Sequence, residues 1–339
     1  MPPPRRSLRL TLLAAVLTAA FVFPGPVPAA ASARGDWWRA QAITALGRAT
    51  ATGPDSTVGG AFYYAHAAYA SALLYGWNHA GALALLAKLR ALRNPDGGYG
   101  VGRAWDAFQD GTTNPADTTY VVTVAGHAGP VLLSAYQAGL VPRSEIQALV
   151  DVVVRAPRVP VDRGQCVAYS TAVADAGRCV HNVSAGAARF LQDAARAGFG
   201  ATGMHRLITD VTIQELVAYR EAGQWWPYLD DGAAQDADHN AYSAASMYRL
   251  AYWVGREAVY RMMTTAYGDN GQASLVHAVL TATPGGVASL GLEDPTTTLW
   301  CELGDRWRAE QSAYLADVTG GDRAAQFAAA AALNAKVCG

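Results

Sequence analysis

The sequence predicts an all-α protein assembled from stacked helical hairpins. Three observations lead there. Alanine-rich stretches such as AFYYAHAAYASALLYGW (Ala61–Trp77), SAGAARFLQDAARAG (Ser184–Gly198) and AYSAASMYRLAYWVG (Ala241–Gly255) carry apolar residues at helical spacing, and alanine is the best helix former. Strand-like alternation is scarce, and glycine and proline fall between the helices rather than inside them. The helical stretches also recur with a period of about sixty residues, the mark of a repeat architecture.

Taken in order, the chain opens with a leader. Arg5, Arg6 and Arg9 precede an apolar run from Leu10 to Phe23, and a Pro/Ala segment ends in Ala31-Ser32-Ala33. That order of charged, apolar and small residues predicts a secretory signal peptide over residues 1–33, cleaved near Ala33. RRSLRL also loosely resembles a twin-arginine export signal. At about 14 residues the apolar run is short for a bilayer span. The predicted mature protein, residues 34–339, is secreted and has no membrane partner once the leader is removed. Cleavage takes three arginines and no acid, moving the formal charge from −1 to about −4. With lysine only at positions 88 and 336, the chain is not a polybasic nucleic-acid binder.

Three segments of the mature chain align. They are ADTTYVVTVAGHAGPVLLSAYQAG from Ala116, RCVHNVSAGAARFLQDAARAG from Arg178 and DADHNAYSAASMYRLAYWVG from Asp236. Each opens with a polar pair (Thr118-Thr119, His181-Asn182, His239-Asn240), runs a helix and stops at or near glycine. Fainter copies begin near Gly59 and Thr296, so about five units of sixty residues fill the chain. A lone hairpin cannot bury its apolar face, so neighbours stack into an open solenoid or a closed ring.

NPDGGYG (Asn94–Gly100), followed by AWDAFQDGTTNPADTTYVVT, resembles the repeat of α/α-toroid proteins, with its DGG-aromatic-G loop ahead of an inward helix. That group includes squalene/prenyltransferase-type proteins, complement-like thioester domains and several polysaccharide lyases. QWWPYLDDGAAQDADHN (Gln224–Asn240) is similar to a loop of toroid carbohydrate-active enzymes. The resemblance implies an α/α toroid, an incomplete barrel of about five to six helical hairpins. In such a ring the loops before the inner helices converge on one funnel.

Asp236, Asp238, His239, Asn240 and Tyr242 are the leading candidate site. By resemblance to toroid lyases, Asn240 neutralises a uronate carboxylate while His239 and Tyr242 move protons, although the order here is His-Asn-x-Tyr rather than Asn-His-x-Tyr. Histidine titrates near neutral pH, as proton abstraction from C5 requires. Aspartate and asparagine also suit helix capping, which accounts for part of the cluster. Asp230 and Asp231 are the hydrolytic alternative, as paired carboxylates beside the aromatic platform Trp225, Trp226 and Tyr228; Asp-Asp-Gly equally suits a turn. Asp117, Trp105 and Tyr120 are expected on the same funnel. His181 and Asn182 are either further substrate contacts or inherited caps. Arg103 and Arg178 are the loop candidates for a cationic partner.

The four cysteines, Cys166, Cys179, Cys301 and Cys338, suggest two disulfides in an exported chain. Of the three connectivities, Cys166–Cys179 with Cys301–Cys338 is the expected one. No C-x-x-C pair occurs, and the remaining histidines show no i, i+4 pairing, so no metal and no cofactor is expected. Nucleophile elbow and P-loop are absent. The expected function is cleavage of an extracellular or cell-wall polysaccharide, a lyase ranked ahead of a hydrolase. The alternatives are a non-catalytic binding module using the funnel and, remotely, a terpenoid cyclase reading of Asp236-Ala237-Asp238-His239.

Overall fold

The structure is a computed structural model that describes residues 33–55, 59–200, 202–221, 226–229, 243, 246 and 320–337. It is mostly helical, as expected. Helices α1 (Ala33–Thr52), α2 (Gly60–Tyr75) and α3 (Ala80–Ala91) come first. A π-helical turn, Thr123–Ala128, runs directly into α4 (Gly129–Gln137), and α5 (Arg143–Arg155) follows. Strands β1 (Arg158–Pro160) and β2 (Gln165–Val167) form an antiparallel pair, the one sheet among the described residues. Then come α6 (His181–Arg196), α7 (Thr202–Glu221) and α8 (Gly321–Val337). The predicted leader and the Cys301–Cys338 pair lie outside the described residues, apart from Ala33 at the head of α1.

Two kinds of helix alternate along the chain. α1, α3 and α5 bury one stripe each: Trp38, Ala42, Ala45 and Ala49; Ala82, Leu86 and Leu89; Ile146, Leu149, Val150 and Val153. Their steps of three and four residues make a single apolar face. α2, α6 and α8 are buried nearly all round. Alanine makes this feasible, since it lets other helices approach from several sides and needs no side-chain ordering. A helix covered on every side must have neighbours on every side, so these are interior elements. α2 packs against α3, the π turn and α4, and α6 packs against α7 and the π turn.

Side-chain hydrogen bonds fix these helices in place. The Arg90 guanidinium on α3 holds the buried Glu145 on α5, with Nε 3.1 and 2.9 Å from the two carboxylate oxygens. Tyr63 Oη on α2 donates to the Ala49 carbonyl of α1 at 2.8 Å. Trp77 Nε1 donates to Ser134 Oγ on α4 at 3.3 Å.

The first and last described helices meet. α8 packs against α1 and α2. Asp322 Oδ1 accepts the Asp55 amide at 3.1 Å, and the Asp55 carboxylate accepts the amides of Gly321 and Asp322 at 3.2 and 3.3 Å. Asp55 thus supplies a carboxylate to the open N–H groups at the start of α8. Only glycine fits at 321, because a Cβ there would lie 1.6 Å from the Gly53 carbonyl oxygen.

Candidate functional site

Backbone hydrogen bonds tie together the loops that lead into the inner helices. The amide of Tyr120 donates to Tyr99, that of Val121 to Tyr169 at 3.0 Å, and that of His181 to Tyr228 at 3.2 Å. Tyr120 pairs with Ser170, and Val180 pairs with Leu229 in the same antiparallel way. The tie therefore repeats one unit later, with Val121 and His181 in equivalent places. The sixty-residue spacing agrees with the sequence period, but the register differs by three residues from the alignment of Thr118-Thr119 with His181-Asn182: by the tie, Thr118 and Thr119 correspond to Arg178 and Cys179.

At the head of the first of these units, a network locks the DGG turn. Thr119 is fully buried. Its hydroxyl donates to Asp96 Oδ1 at 2.7 Å and accepts from Asn94 Nδ2 at 2.9 Å, while Gly98 donates its amide to the same Asp96 oxygen at 2.9 Å. Gly98 has to be glycine, since a Cβ would come within 2.3 Å of Thr119 Cγ2. A second network lies alongside. The buried Asp175 accepts from Ser170 Oγ at 2.6 Å and from Asn114 Nδ2 at 2.8 Å. Asn114 also reaches Tyr120 Oη at 3.2 Å. Between the two networks opens a cleft of about 500 Å³, lined by Asp96, Asn114, Asp117, Thr118, Thr171 and Val173 among others.

Aromatic rings stack behind the cleft rather than line it. Trp105, Tyr120 and Tyr169 are in mutual contact, with Trp105–Tyr120 centroids 5.2 Å and Tyr120–Tyr169 centroids 5.6 Å apart, and Phe108 lies on Tyr169 at 5.1 Å. Burial pushes the Tyr169 and Tyr120 phenols above their ordinary range, so both stay neutral and able to donate. Arg178 stacks over Phe108 and pairs with Asp110. The Thr112 amide and hydroxyl, with help from Arg178, hold the Asp110 carboxyl below its ordinary range. Asp106 accepts the amides of Asp110 and Gly111. These acids serve the loop's own conformation.

His181 begins α6 and is completely buried. Its Nδ1 lies 2.7 Å from the Pro227 carbonyl oxygen. A carbonyl only accepts, so Nδ1 carries a proton, and the lone pair of the neutral tautomer is at Nε2. Neither His181 nor Asn182 caps the helix. The N-cap is Val180, and no side chain caps it. Of the two expectations for the pair, substrate contact or inherited cap, the structure corrects the second. Asn182 is also buried, and its Oδ1 has no hydrogen-bond partner.

The predicted site residues divide as follows. Trp105 and Tyr120 come together, Asp117 lines the cleft, and Arg178 faces Asp110. Arg103 is exposed on the same loop. Trp226, expected as a sugar platform, is buried in the core with Nε1 donating to the Leu216 carbonyl at 2.7 Å. Its ring faces are covered, so the structure corrects that role. Tyr228 is half-buried. Asp117 lines this cleft, and His181 is not among the residues that line it. Trp225, Asp230, Asp231, Asp236, Asp238, His239, Asn240 and Tyr242 lie outside the described residues; Ser243 and Ser246, just beyond them, are helical and buried.

Sequence reasoning missed Asn114, Ser170 and Asp175. An acid inside the loop between two cysteines was the available signal. It also missed a histidine pair. His66 Nε2 on α2 lies 3.2 Å from His127 Nδ1 in the π turn, with Phe62 against both rings. Their separation of 61 residues matches the repeat, which a search for i, i+4 pairs could not find. The Cys166–Cys179 disulfide forms as expected and ties β2 to the segment before α6. Comparison of the chain with protein-family models, curated proteins and solved structures finds no match.

Proposed function

We propose that the chain is an α/α toroid, exported, that cleaves an extracellular or cell-wall polysaccharide, as a lyase ahead of a hydrolase. The alternation of one-faced and all-round buried helices supports the ring, as does the docking of α8 on α1 and α2. The disulfide fits an oxidising compartment. One observation carries the functional reading. The backbone tie that repeats from Val121–Tyr169 to His181–Tyr228 sets the heads of successive inner helices side by side at one rim, next to an open cleft whose wall includes Asp96, Asn114 and Asp117. In the sequence, His239 and Asn240 stand within two residues of the position one period beyond His181, at the head of the next unit. There Asn240 holds a uronate carboxylate, and His239 with Tyr242 transfers the C5 and leaving-group protons. Asp230 and Asp231 serve if the reaction is hydrolytic.

A glycan-binding module without turnover is the second reading. The bonding of Asp96, Asp106, Asp110 and Asp175 to groups of the rim itself favours it. The test is to incubate the mature protein with uronate and neutral glycans, following ultraviolet absorbance of unsaturated uronate together with new reducing ends. Absorbance that vanishes in His239→Ala and Asn240→Ala supports the lyase. Reducing ends without absorbance move the assignment to Asp230 and Asp231. Binding without either product supports the module.

A further inference from the structure

We propose that Cys166, Cys179 and His181 form a zinc site when the two cysteines are thiols, so that this corner of the fold has two alternative staples, a disulfide and a metal. The ligand atoms of all three residues lie within 4.8 Å of one another. A tetrahedral zinc with bonds of about 2.3 Å to sulfur and about 2.0 Å to nitrogen separates its sulfurs by roughly 3.8 Å and sulfur from nitrogen by roughly 3.5 Å. Rotation about the cysteine side chains brings the sulfurs to that spacing while the Cα atoms remain 5.4 Å apart.

A disulfide needs no histidine beside it, yet His181 has the features of a ligand. Its Nδ1–H is held by the Pro227 carbonyl at 2.7 Å, which fixes the ring and directs the Nε2 lone pair away from that bond. Metal-bound histidines are held in the same manner through their second nitrogen. Charge and burial agree. The three residues are 1%, 3% and 0% exposed. Zinc with two thiolates and a neutral imidazole carries no net charge, so the group suits a buried position. Cys179 also sits two residues ahead of α6, where the helix N-terminus favours thiolate. Three protein ligands leave the fourth position for water or a small ligand.

The chemistry balances. A dithiol reductant transfers two electrons and two protons to the disulfide and itself closes to a disulfide. Zinc then displaces the two thiol protons to solvent. In a newly made chain the thiols are already present and no reductant is required.

The test uses the mature protein with Cys301→Ser and Cys338→Ser, so that only this pair remains. After reduction and removal of the reductant, it is titrated with Co²⁺ without oxygen. The expected result is one-to-one binding with thiolate-to-cobalt charge transfer, displaced by Zn²⁺ and absent from the oxidised protein. His181→Ala should weaken binding by at least about tenfold. Where the reduced chain does not stay folded, refolding from denaturant is compared with and without Zn²⁺. Zinc should restore helix in this chain and not in one that also carries Cys166→Ser and Cys179→Ser. The proposal is overturned by a folded, reduced protein without the charge-transfer band. Affinity unchanged in His181→Ala, or a reduced chain that zinc does not refold, overturns it equally. No glycan enters the test, so its outcome is independent of the functional reading above.

Discussion

Gln326 lies in the middle of α8 among alanines, 1% exposed, and neither end of its amide has a hydrogen-bond partner. A buried amide without a partner lowers stability by about 1–3 kcal/mol, because water satisfied it in the unfolded chain. Methionine has nearly the same length and volume and no such requirement. Gln326→Met should therefore stabilise the protein by about 2 kcal/mol, with the side chain still filling its space and the helix propensity unchanged. In a protein of this size that is roughly a 3 °C rise in Tm. The assay is urea unfolding followed by far-ultraviolet circular dichroism, with the midpoint moving up and the slope constant. A variant less stable than the parent would refute the reasoning. It would mean that Gln326 contributes hydrogen bonds in solution, from water or a ligand inside the helical core.

Other perturbations have defined outcomes. Replacing Cys166 and Cys179 by alanine opens a loop with a sequence separation of 13 and should cost about 3 kcal/mol by loop entropy, read by the same unfolding assay in metal-free buffer. Thr119→Val keeps the shape and removes two hydrogen bonds of the DGG turn. It should cost about 1–3 kcal/mol, with Asp96 partly compensated by solvent, and amide exchange at Gly98 should rise. Tyr99, Tyr120 and Tyr169 all have phenol pKa values raised by burial. A raised folded value means that the stability from these groups is complete below about pH 10 and is lost as pH climbs through the folded values. Alkaline titration should show tyrosinate absorbance from these residues only together with loss of helix. Ionisation near pH 10 in a folded protein would contradict their burial.

The helical class and the period were legible because both depend on local pattern. Alanine-rich apolar spacing marks α2 and α6 whatever surrounds them. The polar pairs at 118–119 and 181–182 mark the start of each unit only to within three residues, since the main-chain tie sets Val121 against His181. What each polar residue does was less legible, because that depends on partners far along the chain. Thr119 reads as half of a generic polar pair, yet it binds Asp96 and Asn94 across 23 and 25 residues. Asp175 resembles any loop acid until Asn114, 61 residues away, is placed beside it. Trp226 follows Trp225 in a loop that invites an exposed platform. Its indole N–H finds the Leu216 carbonyl instead, and a tryptophan with that bond satisfied lies more favourably in the core.

The repeated tie explains why equivalent positions carry different chemistry. The bonds from Val121 to Tyr169 and from His181 to Tyr228 are main-chain bonds, so they hold these loops together whatever side chains flank them. Each unit is then able to change its head residues without losing its place. In one unit those residues became a lock, with Thr119 closing the DGG turn. In the next they became a buried histidine set beside two cysteines. Symmetry in the repeat therefore predicts where the main chain is tied, but not which side chain stands there or what it does. The role of His239 and Asn240 has to be established in its own unit, by substitution and assay, rather than by analogy with His181 and Asn182.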